Sequence, residues 1–356
     1  MTSAKATLPS LLLLCLAIAI GCNSGTATNT AGDAATDSGD STASDGSTEK
    51  RLKTAFVTNQ IASFWNIAKV GCEDAAKELD VDCDVRMPAV ATAVEQKRIV
   101  EDLLAGGIEA MAISPIDADN QVELINQWAA KIPLITQDSD APGTNRLMYI
   151  GMDNYIAGRM CGELVREALP DGGNVMLFIG RLEQDNAKRR RQGVIDVLMG
   201  RESLTEYDPT GEEIKGDKYT IIDTLTDQGD EAVAKRKVED AITTYPEMNA
   251  MVGLFAYNPP ACLAALKSQG KVGKIKVIGF DEADDTLQGI KDGTVQGTVV
   301  QNPYEYGFQS VKILTSLLKG DDSLIPESKF IDIPARTITK DNVDEYWDDL
   351  KSKMGG

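Results

Sequence analysis

Beyond residue 50 the chain alternates short apolar runs with longer segments in which apolar positions recur every three or four residues. The runs at 52–57, 81–87, 110–114 and 132–136 predict strands. The segments 64–79, 93–105 and the stretch ending at residue 130 predict the helices between them. The pattern then restarts. A helix over 155–168 leads to a strand at 174–179 and a helix around 191–199, and strands at 219–225 and 250–255 enclose a helix over 230–244. A helix over 261–269 and strands at 276–280 and 297–300 complete the series. Runs that are apolar throughout, separated by amphipathic helices, belong to parallel strands covered on both faces. Two such series in succession predict an α/β protein of two doubly wound, Rossmann-like domains.

In sheets of this kind ligands bind beyond the carboxyl ends of the strands. The residues that follow the runs there are Thr58 and Asn59, Gln137 and Asp138, Asn258, Asp281, and Gln301. Any one of them would serve equally as a helix cap or turn residue. Together they bring amides, a hydroxyl and carboxylates, without a lysine, to five strand ends. Such groups donate to and accept from neighbouring hydroxyls, as a polyhydroxylated ligand requires. Phe64 and Trp65 open the first helix just after one of these loops. In a chain with 5% aromatic residues, they offer flat rings to the C–H face of a sugar. The run Lys188-Arg189-Arg190-Arg191 lies at the start of a helix; three of the four are expected on a solvated face and one turned inward to ligand oxygens.

The amino-terminal fifty residues follow a different pattern. Lys5 precedes an apolar run over 8–20, too short to cross a bilayer, that ends in Gly21-Cys22. Ala19-Ile20-Gly21-Cys22 resembles the bacterial lipobox, which makes 1–21 a signal peptide and Cys22 the lipidated first residue; a plain secretory signal is the alternative. Residues 23–50 are mostly Ser, Thr, Gly, Ala and Asp without a large apolar side chain, a composition that cannot offset its ordering entropy and reads as a disordered tether to a membrane.

Composition narrows the function. The chain has 356 residues, a formal net charge of −19 and no histidine. The acidity opposes nucleic acid and anionic membrane surfaces alike. The missing histidine removes Ser-His-Asp triads and His-containing zinc sites, and no phosphate-binding glycine loop or Cys-x-x-Cys pair is present. A binding protein without metal or cofactor is expected rather than an enzyme. Cys72, Cys83, Cys161 and Cys262 remain after the signal. Export permits disulfides, Cys72 with Cys83 in particular, and buried free thiols are the other reading.

Three stretches resemble the ribose-binding-protein family of periplasmic sugar receptors: residues 107–117 (GIEAMAISPID), 132–138 (IPLITQD) and 277–281 (VIGFD). Asn186-Ala187-Lys188-Arg189-Arg190-Arg191-Gln192-Gly193 adds the family's helix-opening arginine pattern, and the likeness spans about 52–340. The resemblance implies a type I periplasmic binding protein whose two domains are joined by three crossing segments, near residues 151–154, 301–303 and 331–334. The first domain would comprise 52–152 with 302–331, the second 153–301 with 332–340, followed by a tail at 341–356 that reads as a terminal helix. The sugar-contacting positions it implies are Thr58, Phe64, Trp65, Asp138, Arg190, Asn258, Asp281 and Gln301. It also implies a monomer that captures a monosaccharide or related polyol and delivers it to an ABC transporter permease. A sensor presenting ligand to a chemoreceptor or sensor kinase is the alternative. Ala62-Ser63, Ser139 and Gln228 stand where the ribose receptors have Asn-Pro, an arginine and an aromatic lid, so the class of ligand is implied but not the particular sugar.

Overall fold

The computed structural model describes residues 50–354; the expected signal, the Cys22 anchor and all but the last residue of the tether lie outside the described residues. The first half runs β1 (Lys53–Val57), α1 (Ser63–Leu79), β2 (Asp82–Arg86), α2 (Ala93–Ala105), β3 (Ala110–Ile113), α3 (Val122–Ala129), β4 (Leu134–Gln137) and β5 (Tyr149–Gly151). The second runs α4 (Asn154–Ala168), β6 (Gly173–Ile179), α5 (Asp185–Leu198), β7 (Ile214–Lys215), β8 (Tyr219–Thr226), α6 (Glu231–Thr244), β9 (Ala250–Gly253), α7 (Asn258–Ser268), β10 (Lys276–Phe280), α8 (Asp284–Lys291) and β11 (Gly297–Val300). The chain closes with α9 (Pro303–Leu318), β12 (Phe330–Asp332), β13 (Arg336–Ile338) and α10 (Val343–Lys353).

Two sheets result. The first has six strands in the order β12-β5-β4-β3-β1-β2, all parallel. The second has seven in the order β13-β11-β10-β9-β6-β8-β7, with the edge strands β13 and β7 antiparallel. Strands β3, β9 and β11 are buried at every position, as strands covered on both faces must be. The edge strand β2 is only partly buried and polar, so its apolar reading does not hold. The chain passes from one sheet to the other after β5, after β11 and again between β12 and β13.

Each half carries a helix pair in close contact, α1 against α9 and α4 against α5. Glycine permits the approach. A Cβ on Gly71 would lie 2.0 Å from the Tyr304 carbonyl oxygen, and one on Gly158 2.1 Å from that of Arg190. The second contact matters for the site, because α5 carries Arg190.

Several elements differ from the sequence expectation. Helices α8 and α9 and the two- or three-residue strands β5, β7, β12 and β13 were not anticipated. Helix α5 begins at Asp185, so the basic run lies inside the helix, not at its first residues. Both Arg190 and Arg191 are buried, at 2% and 4% exposure, which corrects the expectation of a single inward arginine. Helix α7 begins at Asn258, with Pro259 and Pro260 in its first turn, where a missing N–H costs nothing. The four described cysteines are free thiols, and Cys72, Cys161 and Cys262 are buried. No described helix is long and apolar enough to cross a membrane.

Candidate functional site

The strand ends of the two sheets face each other across a small cavity of about 40 Å³, well below the range for small-ligand sites. From the first half come Asn59 and Gln60 after β1, Phe64 and Trp65 at the start of α1, and Asp138 after β4. From the second come Gln184, Asn186 and Arg190 of α5 and its approach, Phe255 and Ala256 after β9, Asp281 after β10, and Gln301 after β11. The halves are closed on one another. Arg181 donates to the Ala91 carbonyl at 2.6 Å, Lys188 pairs with Asp119 at 2.6 Å, and the Ala118 N–H reaches the Glu183 carbonyl at 3.2 Å.

The first-half wall is a connected network. The Trp65 indole N–H donates to Asn59 Oδ1 at 3.2 Å, and Asn59 Nδ2 donates to Ser114 Oγ at 3.0 Å and to Asp138 Oδ2 at 3.4 Å. Ser114 Oγ donates to the same carboxylate oxygen at 3.0 Å, and Asn186 Nδ2 reaches it from the other half at 3.3 Å. Phe64 stands edge-on to Trp65, with ring centres 4.8 Å apart. Burial pushes the Asp138 carboxyl up, and Arg190, Ser114 and Asn186 partly counter it.

Arg190 dominates the second wall. Its Nε donates to Asn154 Oδ1 at 2.8 Å and its Nη1 to the Leu254 carbonyl at 3.4 Å, while the guanidinium lies over the Phe280 ring at 4.2 Å. Its Nη2 makes no hydrogen bond and stands 3.8 Å from Asp138 Oδ1. Asp281 accepts from Gln301 Nε2 at 2.7 Å, and Gln301 in turn accepts from the Tyr306 hydroxyl at 3.2 Å. Burial raises the Asp281 carboxyl to about 6 against the pull of Arg190.

Six of the eight residues singled out from sequence therefore surround one cavity: Phe64, Trp65, Asp138, Arg190, Asp281 and Gln301. Thr58 and Asn258 do not line it. The Thr58 hydroxyl turns back to the Gln60 carbonyl at 2.8 Å. Asn258 Oδ1 accepts the Phe255 N–H at 3.0 Å and its Nδ2 donates to Asp227 at 2.9 Å, so its amide is used up in the turn that starts α7. Gln228 also stays outside, its carbonyl accepting from Arg181. Gln60, Gln184, Asn186 and Phe255 were missed as site residues, and Asn59, named with Thr58 at the end of β1, was left out of the implied contact set in favour of Thr58.

Arg190 Nη2, Asn186 Oδ1 and Gln184 Oε1 are buried polar atoms without a partner, all on residues lining this cavity. Such atoms are rare enough in folded proteins to need a cause. A larger groove beside β2 lacks this property: its arginines Arg86 and Arg98 are exposed and already paired with Asp84, Glu95 and Asp102.

The two lobes thus meet over a small cavity lined by polar side chains. Residues 54–322 match the family model described as periplasmic binding protein domain. The chain belongs to this family, and within it to the ribose-binding-protein group of periplasmic sugar-binding proteins. It is 26% identical over 227 residues to the ribose import binding protein RbsB of Salmonella typhimurium, covering 62% of this chain and 70% of that one. It is 26% identical over 286 residues to the xylitol-binding protein of Mycolicibacterium smegmatis, covering 80% and 76%. The crystal structure of an ABC transporter solute-binding protein from Burkholderia graminis in complex with D-arabinose superimposes with a TM-score of 0.75. It is 26% identical, covering 83% of this chain and 98% of that one.

Proposed function

We propose that the chain captures a monosaccharide or related polyol between its two halves by hinge closure and hands it to an ABC-type importer, without chemical change. The unpartnered donor on Arg190 and acceptors on Asn186 and Gln184 carry this reading, because together with two strand-end carboxylates they match hydroxyls that both donate and accept. Asp138, Asn59 and Trp65 would bind from the first half, and Arg190, Asn186, Asp281 and Gln301 from the second. A ligand held by both at once favours the closed form over the open one. Relatives named for ribose and xylitol, and one solved with D-arabinose, support a ligand of this size. Cys22 would tether the receptor to the membrane by lipid; metabolic labelling with palmitate that survives in Cys22→Ser would refute the anchor.

The test is a thermal-shift screen of residues 50–356 against pentoses, hexoses and sugar alcohols. A ligand at a hundredfold excess over its Kd adds about 2.7 kcal/mol, a rise of roughly 4 °C for a body of this size. One clear hit, recovered chemically unchanged, supports capture. A folded protein that responds to no member of the panel would refute the sugar reading.

A further inference from the structure

Asp281 sits in the left-handed region at φ 64°, a conformation a non-glycine residue keeps only when its surroundings hold it there. Its N–H donates to the Val299 carbonyl at 2.8 Å and its carbonyl accepts from Thr298 Oγ1 at 2.8 Å. The next residue, Glu282, is 6% exposed, and neither of its carboxyl oxygens has a hydrogen-bond partner. A buried glutamate without a partner, one residue from a ligand-facing carboxylate, needs a reason.

The reason lies in α10, which follows the region matched by the family model and was read from sequence as a helix of unknown use. This helix is bound into the second half. Val343 and Tyr346 are buried in its core, Lys291 pairs with Asp344, and the Trp347 indole N–H donates to Asp284 Oδ1 at 3.2 Å. The Arg336 guanidinium of β13 lies 5.1 Å from the Tyr346 ring centre. Glu282 lines one groove with Trp347, Leu350 and Lys351 of α10, and the neighbours that act on its carboxyl are Asp281, Tyr346 of α10 and Arg336 of β13.

We propose that α10 is a positioning element of the sugar site: packed over Glu282 through Tyr346, it pins the turn that presents Asp281 to the ligand. The inference rests on the reading that Asp281 contacts the sugar. Glu282 is the positioning residue, and it acts as a neutral group. Burial and the adjacent Asp281 drive its carboxyl well above the usual range, more than Tyr346 and Arg336 draw it down. With the proton kept on Glu282, Asp281 is left to ionise opposite Arg190.

The test is calorimetric titration of the full chain with the sugar found in the screen, from pH 5 to 8, on Glu282→Gln, Glu282→Ala and Tyr346→Leu. Glu282→Gln replaces one neutral group by another and is expected to bind within about twofold of wild type. Glu282→Ala frees the turn and lets water reach Asp281. Affinity should fall by about tenfold or more, and the acid midpoint of binding should move down from about 6 toward the ordinary carboxylate range. Tyr346→Leu keeps apolar packing and carries the same expectation at about threefold, should Glu282→Ala not fold. Wild-type affinity and an unshifted midpoint in Glu282→Ala or Tyr346→Leu, with only Tm lowered, would overturn the inference and leave the sugar reading standing. Absence of sugar binding by the wild type would overturn both.

Discussion

Asp138 and Asp281 occupy matching places in the two halves, each just beyond a central strand and each in the left-handed region, at φ 58° and 64°. Both donate their N–H to the neighbouring strand, and both have a carbonyl that accepts a side-chain hydroxyl, from Tyr149 in one case and Thr298 in the other. Their carboxylates differ. Asp138 receives Asn59, Ser114 and Asn186, whereas Asp281 receives Gln301 alone. The first half thus offers an acceptor already held by two of its own donors, Asn59 and Ser114, with Asn186 joining from the second. The second offers an under-coordinated carboxylate and an arginine with a free N–H, and has most to gain when a ligand arrives. On the proposed hinge closure the second half would gain more from the ligand, and substitutions there should act on affinity more than on stability.

The strongest test sets Arg190 against its neighbour. Arg190→Ala should lower sugar affinity by about 3 kcal/mol or more, over a hundredfold, because it removes the one cation between two buried carboxylates. Arg191 is equally buried but saturated by Thr224 Oγ1 and the Asp208 and Pro209 carbonyls at 2.6–2.8 Å. Arg191→Ala should cost about 2 kcal/mol of folding stability and leave Kd within threefold of wild type. Calorimetry and denaturant titration of both variants separate the outcomes; equal losses of affinity would erase the distinction between a contact residue and a structural one.

Asp281→Ala should follow, weakening binding about thirtyfold to a hundredfold while the empty protein stays folded. At pH 7.5 its Tm should rise rather than fall, since a carboxylate costly to bury has gone. Asp138→Ala strands the three donors that serve it and should lower both affinity and Tm. A smaller effect is expected at the helix pairs. Gly158→Ala and Gly71→Ala should each cost about 1–3 kcal/mol by forcing the pairs apart. Only Gly158→Ala pushes against the backbone of Arg190, so it should also weaken binding, by about tenfold.

Which parts of this were legible in the sequence follows from what each depends on. The strands and the rule that ligands lie at their carboxyl ends placed Asp138, Asp281 and Gln301 without any tertiary information. Phe64 and Trp65 stood out by rarity. Asn59 was not separable from Thr58, because the choice between them is made when the Thr58 N–H pairs with Arg86 on β2 and its hydroxyl closes on Gln60. Arg191 was taken for a solvated residue because the loop that buries it returns from residues 208–209, and nothing local announces that contact. The start of α7 was legible and was passed over: Asn258 followed by two prolines is a helix opening, not a free strand-end amide. Strands β5, β12 and β13 are three residues long and exist only because neighbours pair with them.

The smallest effect, and the one that divides the halves most finely, is the response to pH. Burial raises the carboxyls of Asp138, Asp185, Asp227, Asp281 and Glu282, with Asp185 and Asp281 near 6. Four of the five belong to the second half. Between the ordinary carboxylate range near 4 and these raised values the native state holds protons that the unfolded chain has lost, so stability must rise as pH falls through that window. The ligand-free protein should therefore melt a few degrees higher at pH 5 than at pH 7.5. Sugar binding should run the opposite way. If ionised Asp281 accepts from a hydroxyl, affinity should drop below about pH 6, by no more than tenfold per unit for a single proton. Scanning calorimetry with and without sugar would show the two trends crossing. In Asp281→Asn the residual affinity should lose its acid limb, whereas a limb that persists there would move the titrating contact to Asp138 and reverse the roles assigned to the two halves.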